Sequence, residues 1–353
     1  MFSRLQKICK KLEEENLDGL LLSSPANITY LTEYPSRDSY LLVSRKGNLY
    51  FTDSRYTQEA KTFLKGRAQV KDASGTTFKT IAQGLADLGL KRVGFESRYL
   101  PYAEYKRIHL DLNKRSLLIP THSLVEELRQ IKDAGEIKKI REAVKICIGA
   151  LELMRNFIAP GKKEIEVVAE MERFIRYQGA SNSSFDTIVA TGAHAAYPHH
   201  ISGQRKLSKA EPVLIDAGVE FKGYKSDLTR VYFLSKMDGL ISKVYDIVRG
   251  AQLKAIEEIR PGTAISKIDR AARGYIAKKG YAPYFKHNLG HGLGLEIHEL
   301  PNISPKSDIE LEEGMVFTIE PGIYLPGKFG IRIEDMVLVT KKGCEVLSGA
   351  LNK

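Results

Sequence analysis

The sequence predicts two domains of different class: an α/β domain over residues 1–123 and an α+β domain over residues 124–353. Helical and strand signals alternate up to residue 123, which is the α/β pattern. A long run of helical apolar spacing starts near residue 124. Beyond residue 160, amphipathic segments alternate with long meander-like strands, and 353 residues suffice for two domains.

Each element follows from local pattern. "MFSRLQKICKKLEEENL" has apolar residues at helical spacing, and "DGLLLSS" is a strand. "SYLLVSRKGNLYFT" supplies further strand, "SRYTQEAKTFL" and "TFKTIAQGLADLGL" are helices, and "KRVGFES" is another strand. Helical spacing then runs through "VEELRQIKDAGEIKKIREAVKICIGALELMRNFI", with a break or N-cap at Asp133. "PGKKEIEVVAEMERFIRYQGA" is a helix entered through Pro160-Gly161 and closed by Gly179. "PGTAISKIDRAARGYIAKKGY" has the same form, from Pro261-Gly262 to Gly280, which suggests a duplicated helix-plus-strand unit within residues 160–340.

Composition excludes several classes. No apolar run approaches the ~20 residues that span a bilayer. The first twenty residues mix charges throughout, unlike a signal peptide. Three distant cysteines, Cys9, Cys147 and Cys344, make no disulfide framework or zinc knuckle, so a reduced, cytoplasmic protein is expected. The net charge of +11 comes from pairs such as Lys10-Lys11 and Lys278-Lys279 interleaved with acids, a solvated surface rather than a nucleic-acid patch.

The chemistry begins at "LIDAGVEFKGYKSDLTRVYF", residues 214–233. Folded as a hairpin about Glu220–Gly223, it sets Asp216 directly opposite Asp227. Like charges on facing strand positions are destabilising. A bound divalent cation turns that repulsion into shared ligation, and carboxylates suit such metals. Thr229, on the same face, is placed to orient a ligand carboxylate. "GMVFTIEPGIY" and "GIRIEDMVLV" repeat the pattern: folded about Gly327, they set Glu320 opposite Glu334. Four ionised carboxylates in one pocket need counter-charge, and two divalent cations supply it. Nitrogen donors cluster as well. His287, His291 and His298 lie in a stretch whose Gly290, Gly292 and Gly294 let backbone approach a site closely. His194, His199 and His200 lie in "TGAHAAYPHH", so six of the eight histidines fall in two short stretches. A zincin helix, a GxSxG elbow, a P-loop and GxGxxG are all missing.

The order Asp216, Asp227, His291, Glu320, Glu334 resembles the five-ligand dinuclear site of the pita-bread metallopeptidases. "DAGVEFKGYKSDLTR", "HGLGLEIHE", "EPGIY" and "GIRIED" are similar to that family's strings, and the first domain with "LRQIKDAGEI" resembles the Xaa-Pro aminopeptidase and Xaa-Pro dipeptidase (prolidase) subset. The resemblance implies a curved antiparallel sheet backed by helices over residues 124–353. It implies two divalent metals, manganese first with cobalt, iron or zinc as alternatives, and a metal-activated hydroxide as nucleophile. It implies that Glu320 also handles the nucleophile's proton. His199 and His298 resemble the histidines that bond substrate and tetrahedral intermediate; His287, Arg332 and Tyr324 resemble lining residues of the substrate pocket. His194 and His200 resemble nothing in the site and are expected on the loop surface. A homodimer acting on peptides with proline at the second position is implied too. Many prolidases carry an arginine shortly after the "HE" segment, and this chain has Asn302 there, which favours the aminopeptidase over the prolidase. A non-catalytic binding protein on the same fold is the reading from another class.

Overall fold

The computed structural model describes residues 3–353. The chain forms two compact units, meeting between Arg129 and Gln130 rather than after residue 123. The short helix following residue 123 belongs to the first unit through its side chains. Arg129 donates to Asn27 Oδ1 at 2.6 Å, and Asn27 Nδ2 donates to Glu126 at 2.9 Å and to Glu96 at 2.5 Å.

The first unit is a six-stranded sheet in the order β4-β3-β2-β1-β5-β6. Its strands are β1 (Gly19–Leu22), β2 (Ser39–Ser44), β3 (Leu49–Thr52), β4 (Gln69–Asp72), β5 (Arg92–Glu96) and β6 (Leu117–Thr121). Helices α1 (Arg4–Glu14), α2 (Pro25–Thr32), α3 (Ser54–Phe63), α4 (Thr77–Asp87), α5 (Tyr102–Leu112) and α6 (Glu126–Arg129) complete it. Pairing is parallel for β1–β5, β5–β6 and β3–β4 and antiparallel for β1–β2 and β2–β3.

In the second unit, the Asp133 break is a capping box: Asp133 accepts from the Glu136 N–H at 2.9 Å and Glu136 accepts from the Asp133 N–H at 2.9 Å. Helix α7 (Ala134–Phe157) starts there, followed by α8 (Glu164–Tyr177), α9 (Gly239–Glu257) and α10 (Ile265–Lys278). Residues 239–257 were expected among the meander strands and are helical. Ile241, Val244, Tyr245, Val248, Ala251 and Ala255 are buried at helical spacing along one face. The units that open with α8 and α10 match in geometry. Gly161 and Gly262 have φ of 89° and 79°, and their N–H groups donate to Leu207 and Leu311.

The strands are β7 (Asn182–Ser183), β8 (Ile188–Thr191), β9 (Pro212–Ala217), β10 (Val219–Phe221), β11 (Tyr224–Lys225), β12 (Leu228–Phe233), β13 (Gly290–Gly292), β14 (Glu299–Ile303), β15 (Val316–Ile319), β16 (Gly322–Leu325), β17 (Phe329–Arg332), β18 (Asp335–Thr340) and β19 (Gly343–Val346). All their ladders are antiparallel, in the orders β12-β9-β8, β14-β13-β15-β18-β19, β11-β10-β7 and β16-β17. Both faces are covered. Val213, Ile215, Val316 and Met336 pack in the core containing the buried faces of α7 and α8, whereas Leu214, Val231, Phe317 and Val337 pack in the core of α9 and α10. This alternation along each strand fixes which side chains face the site.

Candidate metal centre

The hairpin register differs from expectation. The turn is the two residues Lys222-Gly223, with φ of 50° and 81°, so Phe221 pairs Tyr224 and Glu220 pairs Lys225. Two positive φ angles in a two-residue loop match the right-handed twist of the flanking strands. Asp216 therefore faces Thr229, not Asp227. Asp227 lies two residues before Thr229, diagonal to Asp216, and diagonal positions on one face are still close enough for side chains to meet. At the other strand pair, Ile319↔Asp335 and Gly322↔Arg332 keep the register that sets Glu320 opposite Glu334.

These elements bring Asp216, Asp227, His291, Glu320 and Glu334 to one cleft of about 580 Å³. His291 Nε2 lies 3.5 Å from Asp227 Oδ2 and 3.4 Å from Glu320 Oε1. Ligand atoms of Asp227, His291 and Glu334 all lie within 4.8 Å of one another. Thr229 does bind a carboxylate of the cluster: its hydroxyl donates to Glu334 Oε2 at 2.7 Å and accepts from Arg332 Nε at 3.0 Å. Thr318, which the sequence reading missed, donates to Glu320 Oε1 at 3.0 Å and accepts from the His291 N–H at 3.1 Å. A threonine two residues from each acid on the same strand face is the signal that marks both.

The electrostatics are those of a site built for cations. Burial pushes the Asp227 carboxyl well above the usual carboxylate range, and Asp216 and Glu320 push it further. Burial raises Glu334 likewise, with Asp227, Glu320 and Asp216 adding to it. Burial also raises Glu320, against the opposing charges of His291 and Arg332. Asp216 Oδ1 and Asp227 Oδ1 are buried with no hydrogen-bond partner. His291 Nδ1 lies 3.2 Å from the Gly292 carbonyl. A carbonyl only accepts, so Nδ1 donates there, and Nε2 is the ring nitrogen turned toward the two carboxylates. Unpartnered carboxylate oxygens and an imidazole nitrogen around one space fit divalent cations.

Arg332 and Tyr324 line the cleft but are already committed. Arg332 donates through Nη2 to Asp216 at 2.5 Å and through Nη1 to the Tyr324 hydroxyl at 2.9 Å. Burial opposes the Arg332 charge, and Tyr324, Asp216, Glu320 and Glu334 more than offset it, holding its pKa above the usual value. His287 Nδ1 donates to the Asn288 carbonyl at 2.7 Å, so its Nε2 accepts from Tyr324 at 3.0 Å. Burial, with Arg332 next, lowers the His287 pKa to about 4. His199 and His298 line the cleft, and partial burial, with His291 and His199 next, lowers the His298 pKa. The glycines serve the strands rather than a ligand. A Cβ on Gly290 would sit 2.0 Å from Thr318 O, and one on Gly292 would sit 2.2 Å from Leu300 O. His194 and His200, expected on the loop surface, instead flank the buried Glu164 at 3.0 Å each.

A buried acid cage with an imidazole, open to a cleft, is a candidate metallohydrolase-type centre. Residues 138–341 match metallopeptidase family M24, and residues 4–131 match the creatinase/prolidase N-terminal domain. The chain belongs to metallopeptidase family M24, with the pita-bread fold. It is similar to the structure of the Xaa-Pro dipeptidase from Bacillus anthracis, at 38% identity and TM-score 0.94, covering 98% of this chain and 96% of that one. The X-Pro aminopeptidase structure from Thermotoga maritima MSB8 is similar at 34% identity and TM-score 0.88, covering 96% and 97%. The Xaa-Pro dipeptidase of Pyrococcus horikoshii is 34% identical over 99% of this chain and 97% of its own length. Among the described residues, no helix is long and apolar enough to cross a membrane.

Proposed function

We propose that the chain is a metal-dependent Xaa-Pro peptidase acting first on Xaa-Pro dipeptides. The observation that carries this is the convergence of Asp216, Asp227, His291, Glu320 and Glu334 on one cleft, with unpartnered carboxylate oxygens and His291 Nε2 turned toward Asp227 and Glu320. The dipeptide preference, contrary to the tilt from Asn302, is supported by the activities carried in the names of the Bacillus anthracis and Pyrococcus horikoshii relatives.

These five residues would hold two divalent metals. Manganese is the first to test, with cobalt, iron and zinc as alternatives. Bound there, such cations acidify water and polarise a carbonyl oxygen. The remaining work falls to the chain. Thr318 occupies Glu320 Oε1, leaving Oε2 to take the proton of the attacking water and return it to the leaving nitrogen. That return is required, because the amide nitrogen, the proline ring nitrogen included, leaves only as a neutral amine. His298, whose pKa is lowered by partial burial, and His199 offer N–H donors to the oxygen that gains charge. Phe185, Ile188, Pro198 and Ile297 line the cleft and offer the pyrrolidine ring an apolar wall. Tyr324 and Arg332 hold His287 and Asp216 in place.

One observation favours the aminopeptidase as second reading. A dipeptidase must bind a free carboxylate. The cleft has Asn302 where many prolidases carry arginine, and each nitrogen of Arg332 already donates to protein. The test is hydrolysis of Ala-Pro and Ala-Pro-Ala by metal-stripped protein with Mn²⁺ restored. Cleavage of Ala-Pro alone supports the dipeptidase, and release of Ala from the tripeptide supports the aminopeptidase. Cleavage of neither by metal-loaded protein removes the proline specificity. Full activity in Asp227→Ala would sink the metal centre. A cytoplasmic homodimer is the form the family resemblance implies, with sedimentation as the check on assembly.

A further inference from the structure

A second group of metal-ligating side chains, distinct in its members from the five-residue cage although its His200 also lines the cleft, lies at the root of the loop that carries His199. Glu164 opens α8, and its side chain is 0% exposed. Its Oε1 accepts from the Thr191 N–H at 3.0 Å and faces His194 Nδ1 at 3.0 Å. Its Oε2 accepts from the Gly203 N–H at 3.1 Å and faces His200 Nε2 at 3.0 Å. Each oxygen thus has one backbone amide; His194 Nδ1 straddles both oxygens, lying 3.2 Å from Oε2 as well, and His200 Nε2 meets Oε2. The two rings lie 4.3 Å apart, and one ligand atom from each of the three residues lies within 4.8 Å of the others. Among the described residues, the side-chain partners of Glu164 are these two histidines, with no lysine or arginine beside it. A buried carboxylate needs counter-charge.

We propose that Glu164, His194 and His200 form a separate site for a divalent transition-metal ion of the zinc class, which clamps the His199 loop. Two imidazole nitrogens and a carboxylate oxygen are a zinc donor set, with a fourth position open to water. The Thr191 and Gly203 amides fix the carboxylate as outer partners of a metal ligand do. The loop between those two amides is keyed to β17 at two further points. Pro198 O accepts from Arg332 at 3.4 Å, and Ala195 O packs so close to Gly330 that a Cβ there would sit 1.9 Å away. Glu164 itself holds both ends of the segment that presents His199 to the cleft, and metal there would tie the segment at two more points, His194 and His200. Only the consequence for His199 rests on the proposed peptidase activity; the binding itself does not.

The experiment is equilibrium dialysis of chelator-stripped protein against micromolar zinc, with zinc per chain read by atomic emission. Wild type is compared with His194→Gln, His200→Gln, Asp227→Ala and the double variant Asp227→Ala/His194→Gln. Each histidine variant is expected to hold one zinc fewer than wild type. Asp227→Ala is expected to keep one zinc that the added His194→Gln removes. Histidine variants that retain the wild-type content, or Asp227→Ala protein that holds no zinc, would overturn the proposal. Asp227→Ala with the full wild-type content would instead defeat the cage assignment and leave this site standing.

Discussion

Replacing Thr229 by valine tests whether the cage acts as one unit. Valine keeps the shape and removes the hydroxyl that donates to Glu334 and accepts from Arg332. A hydrogen bond to a charged group contributes about 1.5–3 kcal/mol, and losing an outer partner of a metal ligand weakens metal binding roughly 10–100-fold. The two scales agree on about 2 kcal/mol, or about 30-fold in affinity. The loss falls unevenly. In metal-free protein, burial and the neighbouring acids already favour protonated Glu334, which needs the Thr229 donor less. In loaded protein Glu334 is ionised and needs it fully. Thr229→Val should therefore lower metal affinity in a chelator competition and reduce the metal-induced rise in Tm, while the metal-free Tm moves less. A folded variant whose metal affinity stays within about twofold of wild type would refute the reasoning.

Other outcomes follow from the same groups. Asp227, Glu334 and Glu320 are raised above the ordinary carboxylate range, so metal-free folded protein keeps protons that the unfolded chain releases. Its stability should fall as pH rises above about 4 and recover on adding metal; metal-free Tm rising from pH 5 to 8 would contradict this. His287 opposes that slope, since its pKa of about 4 makes the folded state lose stability as pH drops below the ordinary histidine value, but it is one group against three. Because His287 is neutral throughout the working range, His287→Gln should lower kcat/KM without shifting the limbs of the pH profile between about 5 and 8; a displaced limb would assign it a titrating role. Asn302→Arg should raise the ratio of Ala-Pro to Ala-Pro-Ala hydrolysis about tenfold, through a charge-assisted bond to the free carboxylate, and an unchanged ratio would remove residue 302 from substrate recognition.

Local signals were legible where one stretch of chain decides the outcome. Asp133 with Glu136 determines a helix start, and Gly179 and Gly280, both with φ of 86°, determine two helix ends, because these depend on bonds within a few residues. The same holds for the acids: Asp216, Asp227, Glu320 and Glu334 stand out as charges inside apolar strand patterns. The helix at residues 239–257 carries its own signal in the spacing of Ile241, Val244, Tyr245 and Val248, set beside stronger strand patterns in the flanking chain.

Tertiary structure decided the rest. The turn at Lys222-Gly223 moved the register so that Asp216 faces Thr229, and a shift of two residues leaves the face of each side chain unchanged, so the acids still converge. Pattern alone determines face, whereas register requires the turn's backbone angles. Arg332 looked available for substrate until its partners Thr229, Asp216 and Tyr324 were in place, and those come from distant strands. Glu164 had no mark in the sequence as a partner of His194 and His200. Separations of 30 and 36 residues carry no periodic signal, and only the packing of α8 against the His199 loop brings the three together. The sequence by itself determined which residues bear charge and on which face; the folded chain decided which of those charges meet, because that depends on contacts between elements far apart in sequence.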